Sequence, residues 1–201
     1  MSLSTGEEQA WKILADLNPE DVSKRAEVAF DKGPCHYVLR SFGLDILVFP
    51  TEKKIRNNSP TGEILLNKLS YFSKISILCY LNSAKDILPT GKLEKPEDLS
   101  AGQIYLKGSH ILPLDEIAKK YGDDIKGFLK RGKELGGEPL GYGDASLRLF
   151  PFSRIPVTLL LWKSDDEYPP RADLLFDSTC KLHLPEDIVW STAMMSVLMM
   201  L

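Results

Sequence analysis

The stretch DASLRLFPFSRIPVTLLLWKSDDEYPPRADLLFD, residues 144–177, decides the fold of this 201-residue chain. Its leucine, β-branched and aromatic residues fall into three runs, at about 144–151, 155–163 and 171–177. Phe152-Ser153-Arg154 connects the first two runs, and the turn SDDEYPP leads to the third. Each proline of that turn pushes the residue before it out of the helical region. The stretch therefore predicts a three-stranded antiparallel meander.

One end of this meander is acidic. Antiparallel strands place the start of the first strand, the end of the second and the start of the third at one end of a sheet. We therefore expect a set of charged residues to gather there beside Trp162, namely Asp144, Asp165, Asp166, Glu167 and Arg171. Such oxygens could hold a hard divalent cation, or position a cationic or hydroxylated ligand against the indole. The simpler interpretation is a solvated acidic turn with Asp144 capping the loop.

The opposite end collects Arg154, Asp177 and, after the third strand, His183. The simplest interpretation is an ion pair between Arg154 and Asp177 that specifies the fold. The alternative is an anion site at Arg154 with His183 as proton donor. The candidate binding residues from both ends are Asp144, Arg154, Trp162, Asp166, Glu167, Asp177 and His183.

Upstream of the meander, the sequence predicts helices and one hairpin. Asn18 is a favourable N-cap for a short helix that begins at Pro19 and extends towards Lys32-Gly33-Pro34. Residues 36–42 and 45–49 alternate as a β-hairpin. Apolar residues at helical spacing over about 62–82 predict a central core helix.

Two further helices are predicted at about 113–121 and 123–135, and the last begins near Glu186. Apolar residues nearly encircle this last helix, so it must be buried, either in its own domain or against a second subunit. The fold class is therefore α+β, with an antiparallel sheet formed by the hairpin and the meander and packed by a central and a C-terminal helix. We expect one domain over residues 1–201, of which 1–3 could be a cloning leader.

Three cysteines, Cys35, Cys79 and Cys180, are too few and too scattered for a disulfide framework, which favours a reducing cytoplasm. Cys79 falls on the apolar face of the predicted core helix and is expected to be buried. A metal site of two cysteines and two histidines would need Cys35-His36 and Cys180-x-x-His183 to meet across the fold. The simpler interpretation is partly buried thiols and polar histidines at strand ends.

Composition excludes several functional classes. Lysine and arginine number 25 against 28 aspartate and glutamate, a net charge of −3, which argues against a nucleic-acid binder. No segment is apolar enough to predict a membrane span, and the first residues do not resemble a signal peptide. The P-loop-like Gly127–Lys133 is followed by Glu134, where nucleotide binding needs a hydroxyl. The sequence predicts no cofactor.

The chain resembles a prokaryotic family known only as a domain of unknown function. The resemblance is carried by short motifs, namely Trp11-x-x-Leu14, Asn18-Pro19-Glu20, Tyr80-Leu81, Gly143–Ala145, Pro151, Arg154–Pro156, Trp162, Asp166–Pro170, Leu175–Asp177 and Leu184–Asp187. It implies occurrence mainly in anaerobes, and some members are described as iron–sulfur cluster proteins. Three scattered cysteines cannot supply the usual four thiolates, so we expect no cluster unless two subunits share one.

Two functional hypotheses follow. The first is a non-catalytic protein that binds a small ligand or a protein partner in anaerobic metabolism and forms a homodimer through its last helix. The second is a small enzyme, using either the carboxylates with a divalent cation or Arg154, Asp177 and His183 for acid–base chemistry. No nucleophile–base pair is visible in the sequence, which favours the first.

Overall fold

A computed structural model describes residues 5–98 and 111–201. Helices α1 (Thr5–Asp16) and α2 (Pro19–Ala26) come first. The Asn18 side chain accepts a hydrogen bond from the Glu20 backbone N–H at 2.8 Å, which confirms the predicted N-cap. The helix ends at Ala26 rather than near Lys32, because Glu27 is left-handed (φ 54°) and the chain continues into a strand.

That strand belongs to a four-stranded antiparallel sheet, ordered β1 (Ala29–Asp31), β2 (His36–Ser41), β3 (Leu44–Phe49) and β4 (Lys54–Arg56). Strands β2 and β3 are the predicted hairpin. Both residues of their connection have positive φ, 47° at Phe42 and 74° at Gly43, which is the backbone that a two-residue hairpin turn requires. The edge strands β1 and β4 were not predicted, since three residues are too few to show a period.

The predicted core helix over 62–82 consists of α3 (Pro60–Glu63), a π-helical turn (Ile64–Lys68) and α4 (Ser70–Ser83). Helices α5 (Leu114–Tyr121) and α6 (Ile125–Glu134) confirm the next two predictions, and the P-loop-like residues lie inside α6. The Asp124 side chain caps α6 through the Gly127 N–H.

The predicted meander forms the centre of a second sheet, whose strands are β5 (Leu93–Glu94), β6 (Glu138–Leu140), β7 (Ala145–Phe152), β8 (Ile155–Trp162) and β9 (Arg171–Asp177). Their order across the sheet is β5-β9-β8-β7-β6. The hairpin and the meander therefore lie in two sheets rather than one. Every residue of β8 before Trp162 is buried, so both faces of this strand are covered.

A β-bulge joins the two sheets. The pairing of β7 with β8 shifts between Leu149 and Phe152, around Phe150 and Pro151. The Phe150 carbonyl instead accepts a hydrogen bond from the Phe42 N–H of the hairpin turn at 2.8 Å. The bulge thus links the turn of one sheet to the other sheet, and it leads directly into the turn that holds Arg154.

Two helices complete the chain, the short α7 (Cys180–His183) and α8 (Glu186–Met200). Twelve of the 15 residues of α8 are buried, and the helix packs against α4, α5, α6 and β7. Of the two predicted ways to bury it, burial within its own domain is the one observed. The homodimer therefore loses the reason for which it was predicted. Among residues 5–98 and 111–201, no helix combines the length and apolar character that a membrane crossing requires.

Side chains from α5 and α6 bind the last carbonyls of α8. Arg131 donates from Nε and Nη2 to the Met199 carbonyl at 3.0 and 2.7 Å, and the Tyr121 hydroxyl donates to the Met200 carbonyl at 2.6 Å. Lys120 also donates to the Met200 carbonyl. The last carbonyls of a helix have no intrahelical donors, and here two cations and a phenol hydroxyl supply the missing hydrogen bonds. The two cations also interact favourably with the negative end of the helix dipole.

Candidate functional site

At the acidic end of the meander, the carboxylates hydrogen-bond to nearby backbone. The Asp144 Oδ2 accepts from the Lys163 N–H at 2.8 Å, across the end of β7 and β8. The Asp165 Oδ1 accepts from the N–H groups of Glu167 and Tyr168 at 2.9 and 2.7 Å. Asp144 therefore caps the loop as the simpler interpretation expected. Asp166 and Glu167 are exposed in the turn.

Trp162 at this end contacts a cation of its own chain. The guanidinium carbon of Arg171 lies 4.2 Å from the centre of the Trp162 ring, in a cation–π contact between paired residues of β8 and β9. One face of the Trp162 indole is therefore already in contact with Arg171. Within the described ranges, no three His, Cys, Asp or Glu side chains stand close enough together to share a metal ion.

That finding also bears on the predicted Cys/His metal site. Cys35 and His36 lie where β2 begins in the four-stranded sheet, whereas Cys180 and His183 lie on α7, which follows β9 of the other sheet. The four side chains do not form a metal-binding group. All three cysteines are free thiols. Burial raises the pKa of Cys79 to about 11 and that of Cys180 to about 12, so both stay protonated near neutral pH. Cys79 is half-buried against the core.

The opposite end of the meander is buried and polar. We call the buried side chains of Arg154, Asp177 and His183, with the loop 84–91 that contacts them, the polar junction. Arg154 lies in the β7–β8 turn with only 7% of its side chain exposed. Its Nη2 donates to Asp86 at 3.0 Å, and its Nε lies 3.6 Å from a Glu27 carboxylate oxygen. The predicted ion pair between Arg154 and Asp177 is therefore wrong.

Asp177 does not pair with Arg154 because its carboxylate oxygens accept hydrogen bonds from other donors. They accept from the backbone N–H groups of Thr90 and Gly91 and from both the N–H and the hydroxyl of Thr179, at 2.6–3.2 Å. Burial on its own raises the pKa of Asp177, but these hydrogen bonds outweigh it and hold the pKa below its ordinary value. Asp177 is thus a buried, charged anchor for the loop 84–91.

His183 is the third buried member of the polar junction, with 1% of its surface exposed. Its Nδ1 accepts a hydrogen bond from the Lys85 N–H at 3.2 Å, so in the neutral ring the proton is on Nε2. Burial lowers the pKa of His183, and the charges of Arg154 and Lys85 lower it further against the opposing effect of Asp177. The Nε2 atom is buried and has no hydrogen-bond partner in the described part of the chain.

Tyr80 anchors the polar junction to the core. Its hydroxyl donates to the Ala26 carbonyl at 2.7 Å and accepts from the Arg154 N–H at 3.2 Å, and its ring stacks on Phe152. Neither Tyr80 nor Asp86 was predicted as a functional residue. The only signal for Tyr80 was its place in a family motif. Asp86 has no signal, since it reaches Arg154 from 68 residues away.

Apolar side chains are exposed close to the polar junction. Leu88 is 70% and Ile87 is 37% exposed on the loop 84–91, and Leu182 is 49% exposed on α7 next to His183. The two segments are held together because Ser83 donates to the His183 carbonyl at 2.6 Å and Lys85 donates to the ring. Exposed apolar side chains on the segments that carry a buried donor without a partner are typical of binding surfaces rather than of a closed core.

These features define an α+β fold with two antiparallel sheets, a buried last helix and a polar junction at one sheet end. The chain belongs to the family described as Domain of unknown function (DUF3786), which matches residues 18–199. It matches no curated protein and no solved structure.

Proposed function

We propose that this chain is a non-catalytic binding protein whose ligand or partner engages the polar junction. The observation that carries this proposal is the buried Nε2–H of His183 without a hydrogen-bond partner. A buried donor of this kind costs on the order of 1–3 kcal/mol, which an incoming carbonyl or carboxylate oxygen would recover. The exposed Leu88 and Leu182 would supply apolar contact at the same surface. An anaerobic setting is supported only by the family resemblance given above.

The chemistry of His183 favours binding over catalysis. Its Nδ1 accepts from a backbone N–H instead of donating to a carboxylate, so the ring is not oriented in the way that activates a general base. With its pKa lowered, the ring is neutral near pH 7, and the N–H of a neutral imidazole is a good hydrogen-bond donor but a poor proton donor. The alternative, acid–base catalysis by Arg154, Asp177 and His183, would need a different tautomer.

Two variants of His183 separate the role of its two nitrogens. His183→Asn keeps an acceptor close to the Nδ1 position for the Lys85 N–H and removes the Nε2 donor. His183→Gln keeps a donor close to the Nε2 position and removes the Nδ1 acceptor. We expect His183→Asn to fold and to lose binding, whereas His183→Gln retains binding with reduced stability.

The measurement is a thermal-unfolding shift with acetate and acetamide, which carry the acceptor oxygens, at constant ionic strength. A shift in the wild type that is lost in His183→Asn supports the proposal. No shift with either compound, or an equal shift in both variants, contradicts it. Magnesium, calcium and manganese in parallel samples test the metal-enzyme alternative, which requires an upward shift that Asp144→Asn abolishes.

A further inference from the structure

A second feature shares no residue with the polar junction and does not depend on the function proposed for it. Helix α1, strand β4 with the turn before it, and helix α4 surround a cleft of about 230 Å³. Four cations line it, namely Lys53, Lys54, Arg56 and Lys74, together with the single carboxylate of Glu7. The lining is therefore strongly positive in a chain whose net charge is −3.

Three of these cations have carboxylate partners. Lys53 pairs with Glu8 at 2.8 Å, and Lys54 and Arg56 both pair with Glu52, at 3.2 and 2.9 Å. Because two cations share Glu52, one positive charge remains uncompensated at that position. Lys74 forms no ion pair with any residue of 5–98 or 111–201. With Glu7, Glu8 and Glu52 set against the four cations, the described residues leave one net positive charge at the cleft.

Trp11 supplies an independent observation. Trp11 lines the same cleft and only 1% of the residue is exposed, yet its Nε1–H has no hydrogen-bond partner in the described part of the chain. Buried indole N–H groups normally find an acceptor. The chain therefore places an unsatisfied donor and an unpaired ammonium at one small cleft, and both are satisfied by the same kind of ligand, an oxyanion.

We propose that this cleft binds a phosphate group, either as inorganic phosphate or on a small organic molecule. Its volume is below the roughly 300–1,000 Å³ of a usual ligand pocket, so it suits a small anion rather than a whole nucleotide. Phosphate offers four oxygens to the indole N–H, the Lys74 ammonium and the Arg56 guanidinium, whereas acetate offers only two. Trp11 donates to one phosphate oxygen, Lys74 acts as a point charge, and Arg56 provides a guanidinium that matches phosphate geometry.

The indole N–H of Trp11 reports on this site directly. The chain has three tryptophans, so a ¹⁵N-labelled sample gives three indole signals, and Trp11→Phe identifies the one that belongs to Trp11. Titration with inorganic phosphate at constant ionic strength should move the Trp11 signal with saturation and leave those of Trp162 and Trp190 in place. Glycerol phosphate distinguishes the two sources, since tighter binding than inorganic phosphate indicates a carried group and weaker binding a free ion.

Lys74→Met and Lys126→Met form a matched pair, each removing one surface charge, because Lys126 is exposed on α6 and far along the chain from the cleft. Lys74→Met should weaken phosphate binding roughly tenfold, as for the loss of one charge-assisted hydrogen bond. Lys126→Met should stay within about twofold. The proposal is overturned if the Trp11 signal does not move, if acetate moves it with equal affinity, or if both lysine variants bind phosphate equally.

Discussion

The two ends of the meander carry similar charged residues and use them differently. At the acidic end, Asp144 and Asp165 bind backbone N–H groups of nearby turns while exposed to solvent. At the polar junction, Asp177 is buried and its donors come from the loop 84–91 as well as from its own strand end. Carboxylates in a solvated turn contribute little to the free energy of unfolding. Removing a buried carboxylate that joins distant segments lowers this free energy substantially, because its donors are left without an acceptor. Hydrogen bonds from backbone N–H groups to a carboxylate occur at both ends, but we expect mutation to destabilise the protein much more at the polar junction than at the acidic end.

The largest expected effect is at Asp177. Asp177→Ala leaves the N–H groups of Thr90, Gly91 and Thr179 without their acceptor, and we expect a loss of about 3 kcal/mol in the free energy of unfolding. Urea denaturation measures it. Asp173→Ala, four residues earlier on the same strand, is the control and should cost less than about 1 kcal/mol, since Asp173 pairs with the exposed Arg171. Equal losses would contradict the contrast.

A smaller loss is expected at Arg154. Arg154→Met keeps most of the buried aliphatic stem but removes the contacts with Asp86 and Glu27, whose carboxylates are 48% and 58% exposed and can be rehydrated. We expect the unfolding free energy to fall by about 2 kcal/mol. Arg148→Met, at an exposed pair with Glu138, should be nearly silent by the same denaturation measurement. A silent Arg154→Met would show that the buried guanidinium contributes no net stability.

The pH dependence of stability sharpens the comparison through His183. Because its pKa in the folded chain lies below the ordinary 6.5, the unfolded chain takes up a proton first on acidification. Stability should therefore fall as the pH drops through 6.5 towards the lower folded value, with a slope of at most about 1.4 kcal/mol per pH unit for one proton. The contribution of Asp177 is lost only below its ordinary value of 3.8.

Denaturation of wild type and His183→Asn at pH 7 and pH 5 isolates this histidine, because every other titrating group is shared. The variant should lose less stability between the two pH values than the wild type does. An identical loss would mean that the pKa of His183 is the same in the folded and the unfolded chain, which would contradict the lowering of that pKa by burial.

The smallest effect is expected at the acidic turn. The double variant Asp166→Asn/Glu167→Gln should change the unfolding free energy by less than about 0.5 kcal/mol, because both side chains are exposed. Calorimetry at low and moderate salt measures it. A loss above about 1.5 kcal/mol would show that the turn does more than connect two strands.

Long, strongly patterned elements could be predicted from the sequence. The three strands of the meander, the hairpin and the last helix each span enough residues to display a period, and each is confirmed within about two residues. The four short edge strands were not predicted, because two or three residues are too few to show the alternation of apolar and polar residues that indicates a strand. Prediction of the meander also placed Arg154, Asp177 and His183 at one end of it, since strand order alone fixes that.

The residues that contact Arg154, Asp177 and His183 could not be predicted from the sequence. Asp86 competes with Asp177 for Arg154 through loop geometry that has no local signal, and Thr90 and Gly91 reach Asp177 from 87 and 86 residues away. The phosphate-sized cleft depends on the packing of α1 against α4, which brings Trp11 and Lys74 together. Pairings of this kind are decided by tertiary packing, so only coordinates disclose them.

The hydrogen bonds at the end of α8 have a consequence for synthesis. This helix follows every other described element in the chain, yet it fills the centre of the core and is held at its end by Arg131, Tyr121 and Lys120. While the chain emerges from the ribosome, the apolar surface of the two sheets and the earlier helices that α8 covers stays exposed until residues 186–200 have been synthesised. A chain stopped short of α8 would therefore expose the apolar surface that this helix covers, and chaperones and proteases recognise such a surface.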